Sequence, residues 1–441
     1  MTNKERLQAN NEKIQAIQEI LNSKMLKASG QGKYFVKVVD YDGTILKEAR
    51  LDTGDTFTLP DAPSHDGLVF QEWSCSQEIV DGVITIADNN VMVGATYTTE
   101  SGLSEFDIEL TKVTGLNVTL NMDGTKDWGD GTSDDLTTHT YTDYGKYTIK
   151  CNGTTMTISS SSGLFNQSSG ARNYYCVSVR LSGINEIGSY AFAYCLSLRN
   201  VVISNDVSMS QMQVFQDCYS LINVIIPSGV SSVPYGTFRN NYALQSVTIP
   251  NGATKVGDYA FEFCCSLNDI VIPNSVTSIS GQAFQYCRSL RNIILPDGIT
   301  NLGSSAFADC FSLMSLKVPD GVPLINMSTF RSCSSLASLT LPQGATRMNG
   351  SACFGCYSLT SIIIPKGVTL VGGDAFRQCY ALTIYDFSKL TAIPTLSTTG
   401  TLDGINNRAK IIVPDNLYDE WIIATNWATY ANYIYKASEV Q

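Results

Sequence analysis

The residues best placed to do chemistry lie near the start of the chain. Asp40 and Asp42 sit two apart at the end of an apolar run, within Lys37-Val38-Val39-Asp40-Tyr41-Asp42-Gly43-Thr44. Two carboxylates in that arrangement suit a nucleophile, Asp40, and a general acid, Asp42. Cys353-Phe354-Gly355-Cys356 is a C-x-x-C, a spacing that suits redox chemistry or zinc. Asp123, Asp127, Asp130, Asp134 and Asp135 offer carboxylate oxygens to a calcium ion. The chain has two histidines, His65 and His139, which leaves little room for imidazole catalysis or His-rich metal sites. It contains no G-x-S-x-G, Walker loop or H-E-x-x-H.

The elements that must carry these residues follow from a repeat. From about residue 176 the 441-residue chain repeats every 23 residues. Leucine recurs at Leu198, Leu221, Leu244, Leu267, Leu290, Leu313, Leu336, Leu359 and Leu382. Phenylalanine keeps the same step from Phe192 to Phe330 and again at Phe376, and proline from Pro227 to Pro365. Cysteine fills Cys195, Cys218, Cys264, Cys287, Cys310, Cys333, Cys356 and Cys379, with Asn241 in the missing slot. In the unit L-x-x-V-x-I-P-x-G-V-T-x-I-G-x-x-A-F-x-x-C-x-S, the L-x-x-V-x-I part alternates like a short strand. Pro-x-Gly ends the strand, and A-F-x-x-C returns the chain through a tight helical turn. One such coil cannot bury its own apolar side, so the coils must stack, at ~4.8 Å per strand.

That pattern reassigns the chemical candidates. The Asp40–Asp42 segment resembles the opening signature of haloacid-dehalogenase-type phosphatases. That fold needs strands and helices alternating about a parallel sheet, plus a distal lysine and a second acidic pair. Residues 44–150 have almost no helical period, so Asp42-Gly43 is expected to be a hairpin turn. Cys356 is one rung of the cysteine column and Cys353 fills a phenylalanine slot, so both are expected in the core, reduced and not bound to zinc. The aspartates do not follow EF-hand spacing and read as solvated turn residues; calcium is the one metal weighed against a chain with no cofactor. The chain is therefore expected not to be an enzyme.

Composition agrees. Hydrophobic residues make up 44% and charged residues 16%, enough to bury a large core. The net charge of −11 argues against nucleic acid or an anionic membrane as partner. No run of 18 apolar residues is present and the N-terminus lacks the apolar core of a signal peptide. If Met1 is the natural start, the protein is expected to stay in a reducing cytosol or to leave by another route.

The 23-residue unit, as in 225–244, resembles the BspA-like class of leucine-rich repeat, over roughly 176–390. The resemblance implies a parallel-strand solenoid and adhesion or recognition at bacterial surfaces. Residues 33–100, with Asp42-Gly43, Pro60, Pro63 and Trp73, resemble the β-grasp repeat of internalin-type surface proteins. Residues 101–159, with Trp128-Gly129-Asp130-Gly131-Thr132 and Tyr144-Gly145-Lys146-Tyr147-Thr148, resemble a PKD-type immunoglobulin-like module, Trp128 replacing the usual Phe. Residues 1–32 hold a heptad seam of Leu7, Ile14, Leu21 and Ala28 with Ile17 between, expected to form a helix that sets a homo-oligomer, a trimer. Residues 160–383 are the repeats, with 160–180 capping one end. Residues 384–441, with Leu417, Trp421, Ile422 and Trp427 in a helical pattern, are expected to cap the other. The fold class is thus mainly β with short helices: a leucine-rich repeat solenoid of 23-residue coils, preceded by a helix and two small β-modules acting as a stalk.

Columns beside the cysteine vary where the core columns do not. The candidate binding residues there are Tyr194, Tyr219, Tyr242, Phe263, Tyr286, Arg288, Phe311, Tyr357 and Tyr380. Aromatics give contact area at low entropy cost, which suits a glycan or a protein partner. A second, flatter row, Asn200, Asn223, Ser246, Asp269, Asn292, Ser315, Ser338 and Ser361, points outward from the strands. The whole resembles prophage-encoded tail-associated proteins, which implies binding of a host-cell surface ligand from a virion tail. The alternative is an adhesin at a bacterial cell surface.

Overall fold

A computed structural model describes residues 32–110, 116–143, 145–154 and 174–440. The heptad positions Leu7, Ile14, Ile17 and Leu21 and most of the expected 160–180 cap lie outside them. The fold is a mainly β solenoid of about 11 turns with coils of ~23 residues. No helix among the described residues is long and apolar enough to cross a membrane. The chain forms two compact units, the first built from Phe35–Ala49 and Thr53–Val276, the second from Thr277 onward with Tyr34 and Arg50–Asp52.

The first module holds β1 (Tyr34–Val39), β2 (Ile45–Leu51), β3 (Thr56–Thr58), β4 (Leu68–Cys75), β5 (Val83–Thr85) and β6 (Val91–Thr99). Its main sheet has the order β2-β1-β6-β4. The Asp40–Thr44 segment is the expected hairpin turn: Asp40 N–H donates to Thr44 O (2.8 Å) and Gly43 N–H to Asp40 O (3.0 Å). The buried Asp40 carboxylate faces His65 Nε2 at 2.7 Å.

The second module holds β7 (Ser104–Leu110), β8 (Leu116–Thr119), β9 (Lys126–Asp127), β10 (Ser133–Asp134), β11 (Thr138–Tyr141) and β12 (Gly145–Cys151). Trp128 fills its centre; its Nε1–H donates to Asp134 (3.0 Å), and Tyr141 O–H donates to Trp128 O (2.7 Å). The candidate calcium carboxylates Asp127, Asp130 and Asp134 accept backbone N–H groups two residues on, from Gly129, Thr132 and Leu136. They cap their own turns, as Asp does in such loops.

The coils begin at β13 (Cys176–Leu181), followed by β14 (Asn200–Ile203), β15 (Asn223–Ile225), β16 (Ser232–Val233), β17 (Ser246–Thr248), β18 (Lys255–Val256) and β19 (Asp269–Ile270). Parallel partners are 23 residues apart, as in Val224 with Val247 and Val233 with Val256. Phe192, Phe215, Phe238 and Phe261 stack ring on ring at 5.3–5.8 Å, inside the coils. Cys218, Cys264, Cys310, Cys333, Cys356 and Cys379 donate their thiols to a carbonyl of the preceding coil, as Cys264 Sγ does to Phe238 O (3.1 Å).

The two modules do not form a stalk ahead of the coils; both are fastened to them. Strand β7 pairs antiparallel with β13, so one six-stranded sheet, β10-β9-β12-β7-β13-β14, runs from the second module into the first coils. The first module lies on the outward face of the same coils through β6, which is almost wholly buried. Every second residue of β6 meets a different coil. Thr98 Oγ1 lies 2.7 Å from Ser182 Oγ, and Thr96 Oγ1 accepts from Asn205 Nδ2 (2.8 Å). Gly94 faces Ile225, and Met92 packs with Val271. Six residues of strand and four coil spacings both span ~20 Å, so β6 runs along the stack, across the coil strands.

This corrects the expected flat recognition row at Asn223. Asn223 is 2% exposed, donates Nδ2–H to Tyr41 O (3.3 Å) and accepts from Ser246 Oγ (2.6 Å). Strand residues two further on also point outward, and in this unit they are Val202, Ile225, Thr248 and Val271, all buried. Burying each aliphatic side chain stabilises the docked module by about 1.5–3 kcal/mol.

In the second unit β20 (Ser278–Ile279), β21 (Asn301–Leu302), β22 (Ser315–Lys317), β23 (Leu324–Ile325), β24 (Ser338–Thr340), β25 (Arg347–Met348), β26 (Ser361–Ile363) and β27 (Leu370–Val371) keep the 23-residue register. Here the corresponding outward positions include Lys317 and Thr340, both exposed. The C-terminal segment is not one capping helix. It adds β28 (Ile384–Asp386), β29 (Thr395–Leu396), β30 (Lys410–Val413) and β31 (Ile434–Lys436), so the parallel ladder β26-β28-β30-β31 continues. A four-residue helix α1 (Tyr418–Trp421) and a 3₁₀ turn (Trp427–Tyr433) connect them. Trp421 and Trp427 pack edge-on against Phe387 at 5.7 and 5.2 Å, and Ile422 is half-buried. The helical spacing of apolar residues arises because the connection between two ladder strands must bury both indoles.

Two predictions follow from this packing. A Cβ at Gly94 would lie 2.6 Å from Ile225 Cγ1, so Gly94→Val forces the module off its coils. Overpacking of this kind costs about 1–3 kcal/mol; limited proteolysis should cut the module from the coils faster than in the native protein. Burial raises the thiols of Cys264, Cys333 and Cys379 well above their ordinary range, and Cys75 to about 12. Native-state alkylation at pH 8 should therefore modify the half-buried Cys265 first. Equal labelling of the ladder cysteines would contradict the packing.

Candidate functional site

The A-F-x-x-C turns of successive coils form a ridge, and its backbone sets what can stand there. Each turn has two left-handed residues four apart. Those just before the cysteine include Tyr194, Asp217, Asn240, Phe263, Tyr286, Asp309, Ser332 and Gln378, with φ between 57° and 64°. The alternation aims N–H groups at the next coil: Tyr194 donates to Gln216 O (2.9 Å), Asp217 to Arg239 O (2.8 Å) and Asn240 to Glu262 O (2.8 Å). Asp, Asn and Gly tolerate this conformation, so their presence in the column is conformational in origin. Tyr194, Phe263 and Tyr286 are not favoured there, at ~1–2 kcal/mol each.

In the first unit the ridge carries a connected polar cluster. Asn240 Nδ2 donates to Asp217 Oδ1 (2.9 Å) and Gln216 Nε2 to Asp217 Oδ2 (2.7 Å), while Gln213 donates to Gln216. Arg239 pairs with the buried Glu262 at 2.6 Å and stands over the Tyr259 ring at 5.1 Å. Burial raises the Glu262 carboxyl above the ordinary range, against the opposing pull of Arg239. Tyr219 and Tyr242 lie side by side, ring centres 5.0 Å apart, with Tyr242 41% exposed. Burial and then Asp217 raise the phenols of both Tyr194 and Tyr242, which places these rings in the field of that carboxylate.

In the second unit the candidates form two smaller groups. Arg288 sits over Tyr286 (5.9 Å) and Phe311 (5.6 Å). Tyr357 and Tyr380 stack at 5.7 Å with an 8° interplanar angle, and Tyr380 is 54% exposed. Phe263 is half-buried on the first unit's ridge.

The structure thus pairs the exposed aromatics and adds residues that the cysteine-flanking columns did not reveal: Gln213, Gln216, Arg239, Tyr259 and Glu262. For Gln213 and Tyr259 the signal was present one turn earlier, where Tyr190, Gln213, Gly236, Tyr259 and Gln282 give way to Ser305, Ser328, Ser351 and Asp374. Chemically, the cluster offers aromatic faces beside a carboxylate, amides and a guanidinium already fixed by neighbours. Such planar groups and ring faces bind hydroxyls and apolar surfaces. Cys353 and Cys356 are both buried; Cys379 Sγ donates to Cys353 O (3.1 Å) and Cys356 Sγ to Phe330 O (3.2 Å), the ladder pattern. Among the described residues no group of three or more His, Cys, Asp or Glu could hold a metal ion.

Residues 176–287 and 254–383 match the BspA type leucine rich repeat region, in six copies. No curated protein matches the chain. Among solved structures, a leucine-rich repeat protein from Bacteroides ovatus ATCC 8483 is similar at 23% identity and TM-score 0.50, over 59% of this chain and 65% of that one. The match therefore spans less than two thirds of that protein. A leucine rich cell surface protein from Faecalibacterium prausnitzii A2-165 is 28% identical, with TM-score 0.31, over 51% of this chain and 76% of that one. The leucine-rich repeat protein of T. pallidum is 27% identical, with TM-score 0.30, over 41% and 74%. The match to the BspA type leucine rich repeat region covers the ladder of 23-residue coils between residues 176 and 383.

Proposed function

We propose that this chain is a non-enzymatic recognition and adhesion protein whose repeat ridge binds a cell-surface glycan. The observation that carries the reading is the pair of half-buried Tyr219 and exposed Tyr242 beside the fixed Asp217–Asn240 cluster. Ring faces meet the apolar side of a sugar while the carboxylate and amide accept and donate to its hydroxyls. The repeat type supports display at a bacterial surface. The heptad spacing of Leu7, Ile14 and Leu21 favours a second setting, a trimeric attachment protein of a phage tail, in which several copies raise a modest single-site affinity. Neighbouring genes encoding tail and baseplate proteins distinguish the second setting from the first.

The test is binding of the full chain to a glycan array and to bacterial cells. Tyr219→Ala with Tyr242→Ala removes partly exposed rings, so the thermal midpoint should hold. Loss of an aromatic anchor costs about 2 kcal/mol, roughly 30-fold in affinity. Unchanged capture would remove the ridge as the site. Capture that survives stripping of surface carbohydrate would assign the ridge to a protein partner.

A further inference from the structure

A groove of about 430 Å³ lies where the sheet passes from the second module into the first coils. Four adjacent strands, β12, β7, β13 and β14, cross beneath it, and pairing places Lys146 opposite Glu109 and Ser178 opposite Asn200. Between β7 and β13 the register slips: Cys176 pairs with Ile108 but Ser178 with Asp107, so Val177 is bulged into the groove. Bulges re-aim side chains and recur beside functional sites. The floor is rigid, since Glu109 N–H donates to Tyr175 O (2.8 Å) and Arg199 N–H to Val177 O (2.9 Å).

The charges differ in kind from those nearby. Arg180, on the same sheet, is fully engaged by Glu105 (2.9 Å) and Asp107 (2.8 Å). Lys146 and Arg199 are exposed, line the groove and have no ion-pair partner among the described residues. In a chain of net charge −11, two cations without an ion-pair partner stand against one carboxylate, Glu109, around this concavity, so its lining has a positive balance. Tyr174, 61% exposed, supplies a ring at the rim. Asn200 and the hydroxyls of Ser197 and Ser220 add neutral donors and acceptors, and Glu109 an acceptor.

We infer that this groove is a binding site for an acidic saccharide unit, a sugar ring bearing a carboxylate or phosphate. The guanidinium of Arg199 and the ammonium of Lys146 hold the anionic group, Arg199 in the bidentate manner its fork permits. Tyr174 covers the face of the ring, and Glu109 accepts from a hydroxyl. The site is separate from the ridge and stands whether or not the ridge binds a glycan.

The experiment is titration of the full chain with three oligosaccharides: glucuronic-acid-terminated, glucose-6-phosphate-terminated and glucose-terminated. Either acid-bearing probe, or both, should bind at least tenfold more tightly than the neutral one, and the difference should shrink as salt rises to 0.5 M; which acid binds identifies the carboxylate or the phosphate as the preferred group. Lys146→Gln with Arg199→Gln should abolish the difference at an unchanged thermal midpoint, and Tyr174→Ala should weaken all ring-dependent binding. Tyr219→Ala with Tyr242→Ala should leave acid-probe binding intact. Equal affinity for acidic and neutral probes, or retention of the acid preference in the Lys146→Gln/Arg199→Gln chain, would overturn the site, as would loss of acid binding in the ridge variant alone.

Discussion

No coil of this chain can satisfy its own backbone or bury its own apolar side; everything depends on hydrogen bonds and ring stacks made to the coil 23 residues away. Parallel pairs such as Val224–Val247 and Leu316–Leu339 serve one face, and short strands such as Val233–Val256 a second. On the third face there is no strand, and left-handed residues turn the N–H groups toward the next coil instead. The thiols complete the scheme by donating to carbonyls of the preceding coil at 3.0–3.2 Å. A cysteine suits that slot because it is small, apolar and still a weak donor. Asn241 replaces it once and accepts the Cys218 N–H at 2.8 Å instead.

A stack built this way leaves strand edges and sheet faces that invite other chains. The first unit closes both openings with its own modules. Strand β7 takes the open edge of β13, and β6 lies across four coils on the outward face. Gly94 allows the close approach to Ile225, and Ser74 Oγ–H donates to Ile226 O (2.8 Å). Asn89 Nδ2–H donates to Ile272 O (2.8 Å), tying the module to a further coil. The groove over β12, β7, β13 and β14 exists through the pairing of the second module with the first coil.

The repeat, its register and its buried columns were legible because stacking makes each depend on a fixed spacing. Phe215, Leu244 and Cys310 could stand nowhere else, and Asp42-Gly43 announced its hairpin through its turn chemistry. What escaped was anything set by a partner outside the 23-residue unit. Val202, Ile225 and Val271 looked like ordinary strand residues until the module covered them. Contrast with Lys317 and Thr340, at the same position of later coils, was the available clue. The C-terminal coils were hidden because connections of a different length break the sequence beat while β28, β30 and β31 keep the ladder. The polar ridge was half legible: exposed tyrosines stood out, whereas Arg239 and Glu262 needed the geometry that joins them.

The left-handed positions also say which parts of the ridge answer to something other than folding. In the second unit Gln282, Ser305, Ser328, Ser351 and Asp374 occupy the first of the two positions, and Tyr286, Asp309, Ser332 and Gln378 the second. The same positions hold Tyr190, Tyr194, Tyr259 and Phe263 in the first unit. Since identical turns fold with serine, the aromatic rings are not required by the coil. Each carries a conformational cost of about 1–2 kcal/mol. Strain of this type persists where the side chain makes contacts that offset it. Tyr259 does so by holding Arg239 against Glu262, and Tyr194 by standing beside Asp217. The strained rings thus fix the charged groups of the first unit's ridge in one arrangement.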